Sequence, residues 1–257
     1  MQPQINLLMR TKIIPPKAKI IPKRLEIHNE IRIDNYYWLN DRENPEVIDY
    51  LEQENTYCDK MMAHTAEFQS DLFKEMKARI KEDDASVPYK YNGYWYIARF
   101  EKGKDYPIYI RKKGTLKAKE EIIFDCNKMA KGHAYFKLVG INISSDNTLV
   151  SYGIDTVSRR QYTIQIKNLI TGKNFKDSIK NTTGSATWAN DNKTLFYTSK
   201  NEKTLRTDKI FKHILGKKTT SDTLVFTETD DTFGTSVYKT KSKKYIVITS
   251  FSTLTTE

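Results

Sequence analysis

Between residues 44 and 80 apolar and polar positions recur with a helical period. Val47, Ile48, Leu51, Cys58, Met61 and Met62 fall mostly three, four or seven apart. Asn44 followed by Pro45 supplies a cap and a first-turn proline, so an amphipathic helix is predicted to start there. Phe68, Leu72, Met76 and Ile80 then stand four apart, with Glu67, Asp71, Lys74 and Glu75 on the other faces, and predict a second helix. Both apolar stripes are expected to be core packing, not a cofactor box.

The period changes after a polar stretch from Lys81 to Ser86 that Pro88 closes. A domain boundary is predicted there, with an extended arm and helices in residues 1–80 and strands in 81–257. Tyr89 to Tyr91, Asn92-Gly93, then Tyr94 to Phe100 reads as a hairpin, because Asn-Gly supplies the two positive-φ residues of a type I′ turn. Further strands are expected at Tyr106 to Lys112 and Ile122 to Asp125.

The second half repeats. Ser145-Asp146-Asn147 before Leu149 to Tyr152, Asn190-Asp191-Asn192 before Leu195 to Tyr197, and Lys241-Ser242-Lys243-Lys244 before Tyr245 to Val247 each set a polar turn ahead of an apolar strand. The spacing of roughly 45 to 50 residues is that of one four-stranded propeller blade. A longer strand follows each of the first two turns, Arg160 to Ile170 and Lys209 to Leu215. The Asn92-Gly93 hairpin fits as an earlier copy. The predicted fold is mainly β with N-terminal α-helices: a partial β-propeller of about three blades and the opening strands of a fourth. An open array leaves a sheet edge and a core face uncovered. The chain is therefore expected to be a fragment, a truncated product, or one piece that needs another.

Composition narrows the function classes. With 257 residues, 38% of them hydrophobic, 16 Tyr and 11 Phe, the chain can fill a sheet-rich core. The formal charge of +11 comes from lysines spread along the whole length, a pattern of solvated surface. No zinc-finger, helix-turn-helix or RNP-type signature accompanies it, so no nucleic-acid partner is expected. Residues 1–24 mix Pro15, Pro16 and Pro22 with basic residues and predict an extended arm lying on a surface. The run Ile5 to Met9 is too short for a signal-peptide core, and no segment approaches the roughly 20 apolar residues of a membrane helix. No membrane partner and a cytoplasmic location follow as expectations.

The usual catalytic constellations are missing. A nucleophile elbow needs Gly-x-Ser-x-Gly, and no two glycines stand four apart. His28, His64, His133 and His213 are read as structural or surface residues. Cys58 with His64, and Cys126 with His133, fit no common zinc spacing; both cysteines are expected to be reduced, and neither a metal nor another cofactor is predicted. Asp83-Asp84 and Asp230-Asp231 read as solvated turn acids.

Several segments resemble one known family, in the same order along the chain. They are Arg32 to Leu39 with Pro45-Glu46-Val47 and Tyr50 to Asn55; Tyr91 to Tyr94 with Tyr106 to Arg111; Ser158 to Tyr162 with Asn168 to Gly172; Trp188 to Asp191; and Asp230 to Thr232 with Ser242 to Tyr245. Together they are similar to the amino-terminal part of the prolyl oligopeptidase family, in its oligopeptidase B branch. The resemblance implies helices that pack on an α/β-hydrolase domain, a crossing near Ile80 to Ser86, and a seven-bladed propeller that caps the active site. It further implies a Ser, His and Asp set on the hydrolase domain, acting on small peptides after Lys or Arg. None of the four histidines matches that family's base, so no catalytic residue is expected in this chain, and its partner is expected to be the hydrolase domain.

Arg159, Arg160 and Tyr162 lie within the resemblance and are candidates for an interdomain or gating contact, because paired guanidinium groups form fork-like bonds with carboxylates. Ile80, Lys81, Glu82, Asp83 and Asp84 are candidates for a hinge. Two functional readings follow: the non-catalytic part of an oligopeptidase B-like serine endopeptidase, or a stand-alone partial propeller acting as a protein-binding scaffold.

Overall fold

The computed structural model describes residues 13–257. The run Ile5 to Met9 and the first half of the predicted arm lie outside the described residues. The backbone divides into two compact units that meet between Lys81 and Glu82.

In the first unit, residues 13–22 run without regular structure, held where the Trp38 indole N–H donates to the Lys19 carbonyl at 3.0 Å and Lys19 pairs with Glu46 at 2.8 Å. A hairpin of β1 (Lys23–Ile27) and β2 (Glu30–Asp34) follows. Its turn places His28 and Asn29 at φ 51° and 63°, a type I′ geometry without glycine. That missing glycine hides the hairpin from sequence reading. Helices α1 (Pro45–Met62) and α2 (Ala66–Ala78) come next, and the Asn44 side chain accepts the Glu46 N–H at 2.9 Å as the predicted cap.

The expectation that the helical stripes are core is corrected. Val47 is the one buried residue of α1 and α2 buries none; Phe68 is 67% exposed and Phe73 63%. A hairpin and two helices give too little surface to cover a stripe on each helix.

The second unit opens with a four-stranded antiparallel sheet of β3 (Tyr89–Tyr91), β4 (Tyr94–Arg99), β5 (Ile108–Lys113) and β6 (Glu120–Asp125). The predicted Asn92-Gly93 turn has φ 50° and 83°. A short helix, α3 (Cys126–Met129), leads into β7 (Lys137–Ile143), β8 (Leu149–Asp155), β9 (Tyr162–Asn168), β10 (Asn174–Trp188), β11 (Thr194–Lys200), β12 (Thr207–Ile214) and β13 (Thr223–Thr227). These seven strands hydrogen-bond in sequence order. A final hairpin pairs β14 (Gly234–Lys239) with β15 (Ile246–Phe251).

The seven-stranded sheet is two blades sharing one long strand. The first part of β10 pairs with β9 through Ile179↔Ile164, the last part pairs with β11 through Trp188↔Leu195, and Thr182 pairs with both. The ladder shifts register on either side of Thr182. Gly184, at φ 87°, carries the strand through this bend, and Gly140 and Gly153 lie so close that a Cβ on either would overlap its backbone. Three blades and the first hairpin of a fourth result, and the sheets do not close on themselves. The core lies between and within blades, centred on Tyr152, Phe124 and Val150 in one cluster and on Ile164, Ile166, Ile179 and Leu195 in the other.

Candidate functional site

Four strands from four different repeats face one cavity. Tyr89 and Tyr91 of β3, Ile141 of β7, Thr187 of β10, and Val237 and Lys239 of β14 line a space of about 440 Å³. Cross-blade bonds fix its wall: Trp188 Nε1 donates to the Asn142 carbonyl at 2.9 Å, Thr187 Oγ1 to the Val237 carbonyl at 3.0 Å, and Asn142 Nδ2 to Ser185 Oγ at 3.0 Å.

The turns that leave these inner strands meet at one rim. Asn92, Asn147, Asn192 and Lys243 occupy the same left-handed position, at φ 50°, 64°, 54° and 59°. Asparagine tolerates this region because its short amide bonds locally; a lysine there is uncommon. Asn92 Nδ2 donates to the Ser145 carbonyl at 2.7 Å, Asn147 Nδ2 to the Asn92 carbonyl at 3.0 Å, and Asn192 Oδ1 accepts the Ser145 N–H at 2.8 Å. Lys243 reaches 151 positions back in sequence: its Nζ lies 3.3 Å from Asn92 Oδ1 and 5.1 Å from the centroid of the Tyr91 ring. Asn190 joins the two lysines of this hairpin, accepting from Lys239 Nζ at 3.0 Å and donating to the Lys243 carbonyl at 2.9 Å. Burial, and after it the charge of Lys243, hold the Lys239 ammonium below the usual lysine range.

Deeper in the wall, Tyr96 is 4% exposed and its hydroxyl makes no hydrogen bond. Burial pushes its pKa up to about 12, against a smaller opposing pull from Arg111. The Arg111 guanidinium is itself directed to Glu121 Oε2 at 2.7 Å and the Asn147 carbonyl at 2.8 Å, and stacks 4.2 Å over Tyr94.

The predicted gating residues sit on the loop between β8 and β9. Buried Asp155 holds that loop, accepting the N–H groups of Val157, Ser158 and Arg160 at 2.8, 3.0 and 2.8 Å. Arg159 and Arg160 point outward and, among the described residues, make no ion pair. The Arg160 carbonyl accepts Lys200 Nζ at 2.8 Å, and the Tyr162 carbonyl accepts Thr182 Oγ1 at the same distance. Tyr162 thus braces the bend of β10 and the Arg160 carbonyl the end of β11, while both guanidinium groups keep free forks.

The predicted hinge residues divide. Ile80 ends the helical segment, its N–H donating to the Lys77 carbonyl at 3.0 Å. Glu82 and Asp84 are tied to the first blade: Glu82 Oε2 accepts the Gly103 N–H at 3.2 Å and the Asp84 carbonyl accepts the Phe100 N–H at 2.7 Å. Lys81 and Asp83 lie between them, both exposed.

One further cluster was not singled out from the sequence. His213, fully buried on β12, has Nε2 2.8 Å from Asp177 Oδ1 and Nδ1 2.7 Å from Asp222 Oδ1, and Tyr197 donates to Asp222 Oδ2 at 2.9 Å. Both ring nitrogens are taken by carboxylates, so this histidine cannot also serve a hydroxyl or thiol as a base. The His64 ring bonds the Met61 carbonyl. The signals available for the cavity were the recurring turn asparagines and the lysine that replaces one of them.

The family model described as the prolyl oligopeptidase N-terminal β-propeller domain matches residues 15–257. Dipeptidyl aminopeptidase BI of Pseudoxanthomonas mexicana is 37% identical over 275 aligned residues, covering 100% of this chain and 38% of that protein. Protease 2 of Moraxella lacunata is 35% identical, with 94% of this chain and 36% of that protein covered. Oligopeptidase B from Leishmania major superposes with a TM-score of 0.86 at 31% identity, over 93% of this chain and 36% of that one. The chain thus spans a little over a third of the length of the relatives it matches.

Proposed function

Because this chain belongs to the prolyl oligopeptidase family through that N-terminal β-propeller domain, we propose that it is the access-restricting, non-catalytic part of an oligopeptidase B-like serine endopeptidase. The hydrolytic residues belong to an α/β-hydrolase domain, its partner, which acts on small peptides after Lys or Arg. The observation that carries this reading is the pair of helices whose apolar residues find no cover: Ile48, Leu51, Met61, Phe68, Phe73 and Met76 are each at least 44% exposed. Burying an apolar side chain of this size contributes about 1.5–3 kcal/mol, so such a stripe is a strong surface for the hydrolase domain. Arg159 and Arg160, with Tyr162 beneath them, supply guanidinium forks for carboxylates of that domain, and Ile80 to Asp84 supply the hinge.

Among the described residues no helix is long and apolar enough to cross a membrane. Cys58 is exposed and unpaired, which suits a reducing compartment, and we place the protein in the cytoplasm.

The test joins two measurements. The chain alone, offered a fluorogenic Arg-containing peptide and a serine-directed phosphonate, is expected to show neither turnover nor labelling. Co-expressed with the hydrolase portion of the Pseudoxanthomonas relative, it is expected to co-purify, and Phe68→Asp with Phe73→Asp to abolish co-purification without lowering the thermal midpoint of the chain alone. Turnover by the chain alone, or association indifferent to those substitutions, would reject the reading.

A further inference from the structure

The sequence scatters its lysines, and the blades gather them. In a blade of four antiparallel strands, the turn after the first strand and the turn after the third leave the same end. One backbone bond repeats in all three blades at that end: Gly114 N–H donates to the Gly93 carbonyl at 2.9 Å, Leu169 N–H to the Thr148 carbonyl at 2.8 Å, and Leu215 N–H to the Lys193 carbonyl at 2.8 Å. Each ties an outer turn to the inner turn of its own blade. The inner turns are joined from blade to blade through Asn92, Ser145 and Asn192, so the three outer turns stand at one end of the sheets.

These outer turns carry Lys113, Lys117 and Lys119 in the first blade, Lys173 in the second, and Lys217 and Lys218 in the third, all exposed. Among the described residues none of the six makes an ion pair. The acids near them are already engaged. Asp146 and Asp191 bond N–H groups of their own turns, Asp222 bonds His213 and Tyr197, and Glu120 and Glu121 pair with Lys112 and Arg111. At the opposite end of the blades charges pair with one another: Arg99 with Glu101 at 2.7 Å, Lys128 with Asp125 at 3.1 Å, and Arg206 with Asp231 at 3.1 Å.

Aliphatic side chains stand among the free ammonium groups. Leu116 is 43% exposed and Ile170 73%. Asn168 Oδ1 accepts the N–H groups of Ile170 and Thr171 at 2.8 and 2.9 Å, which fixes the turn that presents Ile170 to water. The outer turns, residues 113–119, 169–173 and 215–222, contain no aromatic residue, so they offer nothing on which a nucleic-acid base could stack. Ammonium groups around protruding aliphatic side chains match a surface that is anionic outside and apolar just beneath.

We propose that this end of the blades lies on the surface of an anionic lipid bilayer, with the six lysines at the headgroups and Leu116 and Ile170 entering the boundary below them. The contact is peripheral and needs no spanning segment. Each ammonium group near an anionic leaflet raises affinity about fivefold. That attraction fades within a Debye length, so added salt weakens it. The inference goes beyond the peptidase reading and does not depend on it, because it is measured as binding by the chain alone.

The test is co-sedimentation of the chain with vesicles of phosphatidylcholine alone and of phosphatidylcholine with about one third phosphatidylserine. Binding to the anionic vesicles is expected to be about tenfold or more tighter than to the neutral ones. Lys117→Glu, Lys173→Glu and Lys218→Glu together are expected to erase that difference. Lys102→Glu, Lys131→Glu and Lys203→Glu, which change the net charge equally at the opposite end, are expected to retain it. Leu116→Ser with Ile170→Ser is expected to weaken vesicle binding several-fold. Circular dichroism melts of each variant certify the fold. Equal binding to both vesicles, equal loss in the two triple variants, or binding indifferent to the serine substitutions overturns the proposal. Release from the anionic vesicles by a DNA duplex at matched charge concentration would assign the face to nucleic acid and overturn it as well.

Discussion

His213 and Asp177 join two blades through one short bond. The histidine lies on β12 and the aspartate on the part of β10 that belongs to the preceding blade, 2.8 Å apart, with both side chains almost wholly out of water. Asp222 closes the arrangement from the other ring nitrogen. Each ring nitrogen faces a carboxylate oxygen in a space from which water is excluded, so the three side chains satisfy one another's hydrogen bonds. Removing one partner of such a set is far more costly than the set is worth. His213→Leu is therefore expected to lower unfolding free energy by about 3–5 kcal/mol in urea titration, and adding Asp177→Asn and Asp222→Asn to recover part of the loss. A His213→Leu variant within about 1 kcal/mol of the parent would contradict this account.

Gly184 sets the angle between the second and third blades. At φ 87°, a Cβ there would stand 2.5 Å from Val139 Cγ2 and 2.8 Å from Tyr162 Cγ. Gly184→Ala carries both the left-handed penalty and an overlap with packed side chains, a sum of about 3 kcal/mol. Gly93, at φ 83° in an open turn with nothing within 4 Å, carries only the first, and Gly93→Ala is expected to cost about 1–2 kcal/mol. Equal thermal midpoints for the two variants would show that the bend is not packed as described.

The blades were legible because their turns repeat. Ser145-Asp146-Asn147 and Asn190-Asp191-Asn192 mark the same position of two blades; the strand after the first buries six of its seven residues and the strand after the second buries Leu195, Tyr197 and Thr198, so period and composition agree. The long strand β10 was not legible: its sequence is polar, it contains a glycine, and its two halves belong to different blades, so no single period describes it. The hairpin at His28-Asn29 escaped for lack of a turn glycine. Helices α1 and α2 were found in place, with Pro45 and the Asn44 cap marking the start, but their apolar stripes were assigned to a core that the described residues of their own unit do not supply. Periodicity reports that a face is apolar, and it is silent on whether the cover comes from the same chain. The cavity escaped for a similar reason: Tyr89, Ile141, Thr187 and Lys239 are far apart in sequence, and only the arrangement of the blades brings them to one space.

The two thiols have opposite prospects. Cys126 is 1% exposed, and burial, with a smaller contribution from Asp125, pushes its pKa up to about 12. Cys58 is exposed on α1. Reaction proceeds through the thiolate, so titration with a chromogenic disulfide at pH 7.5 is expected to count one rapid thiol per native chain and a second only after urea unfolding. Two rapid thiols in the folded chain would mean that the first and second blades open readily around Cys126.

Acid should remove stability from the turns of the second and third blades. Burial by itself disfavours the Asp146 carboxylate, but the Ser144 hydroxyl at 2.6 Å and the N–H and hydroxyl of Thr148 outweigh it and hold its pKa below the usual value. Asp191 repeats the arrangement one blade later, where burial is outweighed by the Thr194 hydroxyl at 2.7 Å and the N–H groups of Lys193 and Thr194. A carboxyl whose folded pKa lies below its unfolded one adds stability that is complete above the unfolded pKa, about 3.9, and is lost as pH falls through the folded value. Asp146→Asn with Asp191→Asn should therefore melt below the parent at pH 7, and the gap should narrow steadily below about pH 4 as the parent's own carboxylates take up protons. Melting curves from pH 7 to pH 2.5 decide it: a gap of constant size would assign the effect of these substitutions to lost shape in the turns, because only the ionised side chain bonds in a way that acid can remove.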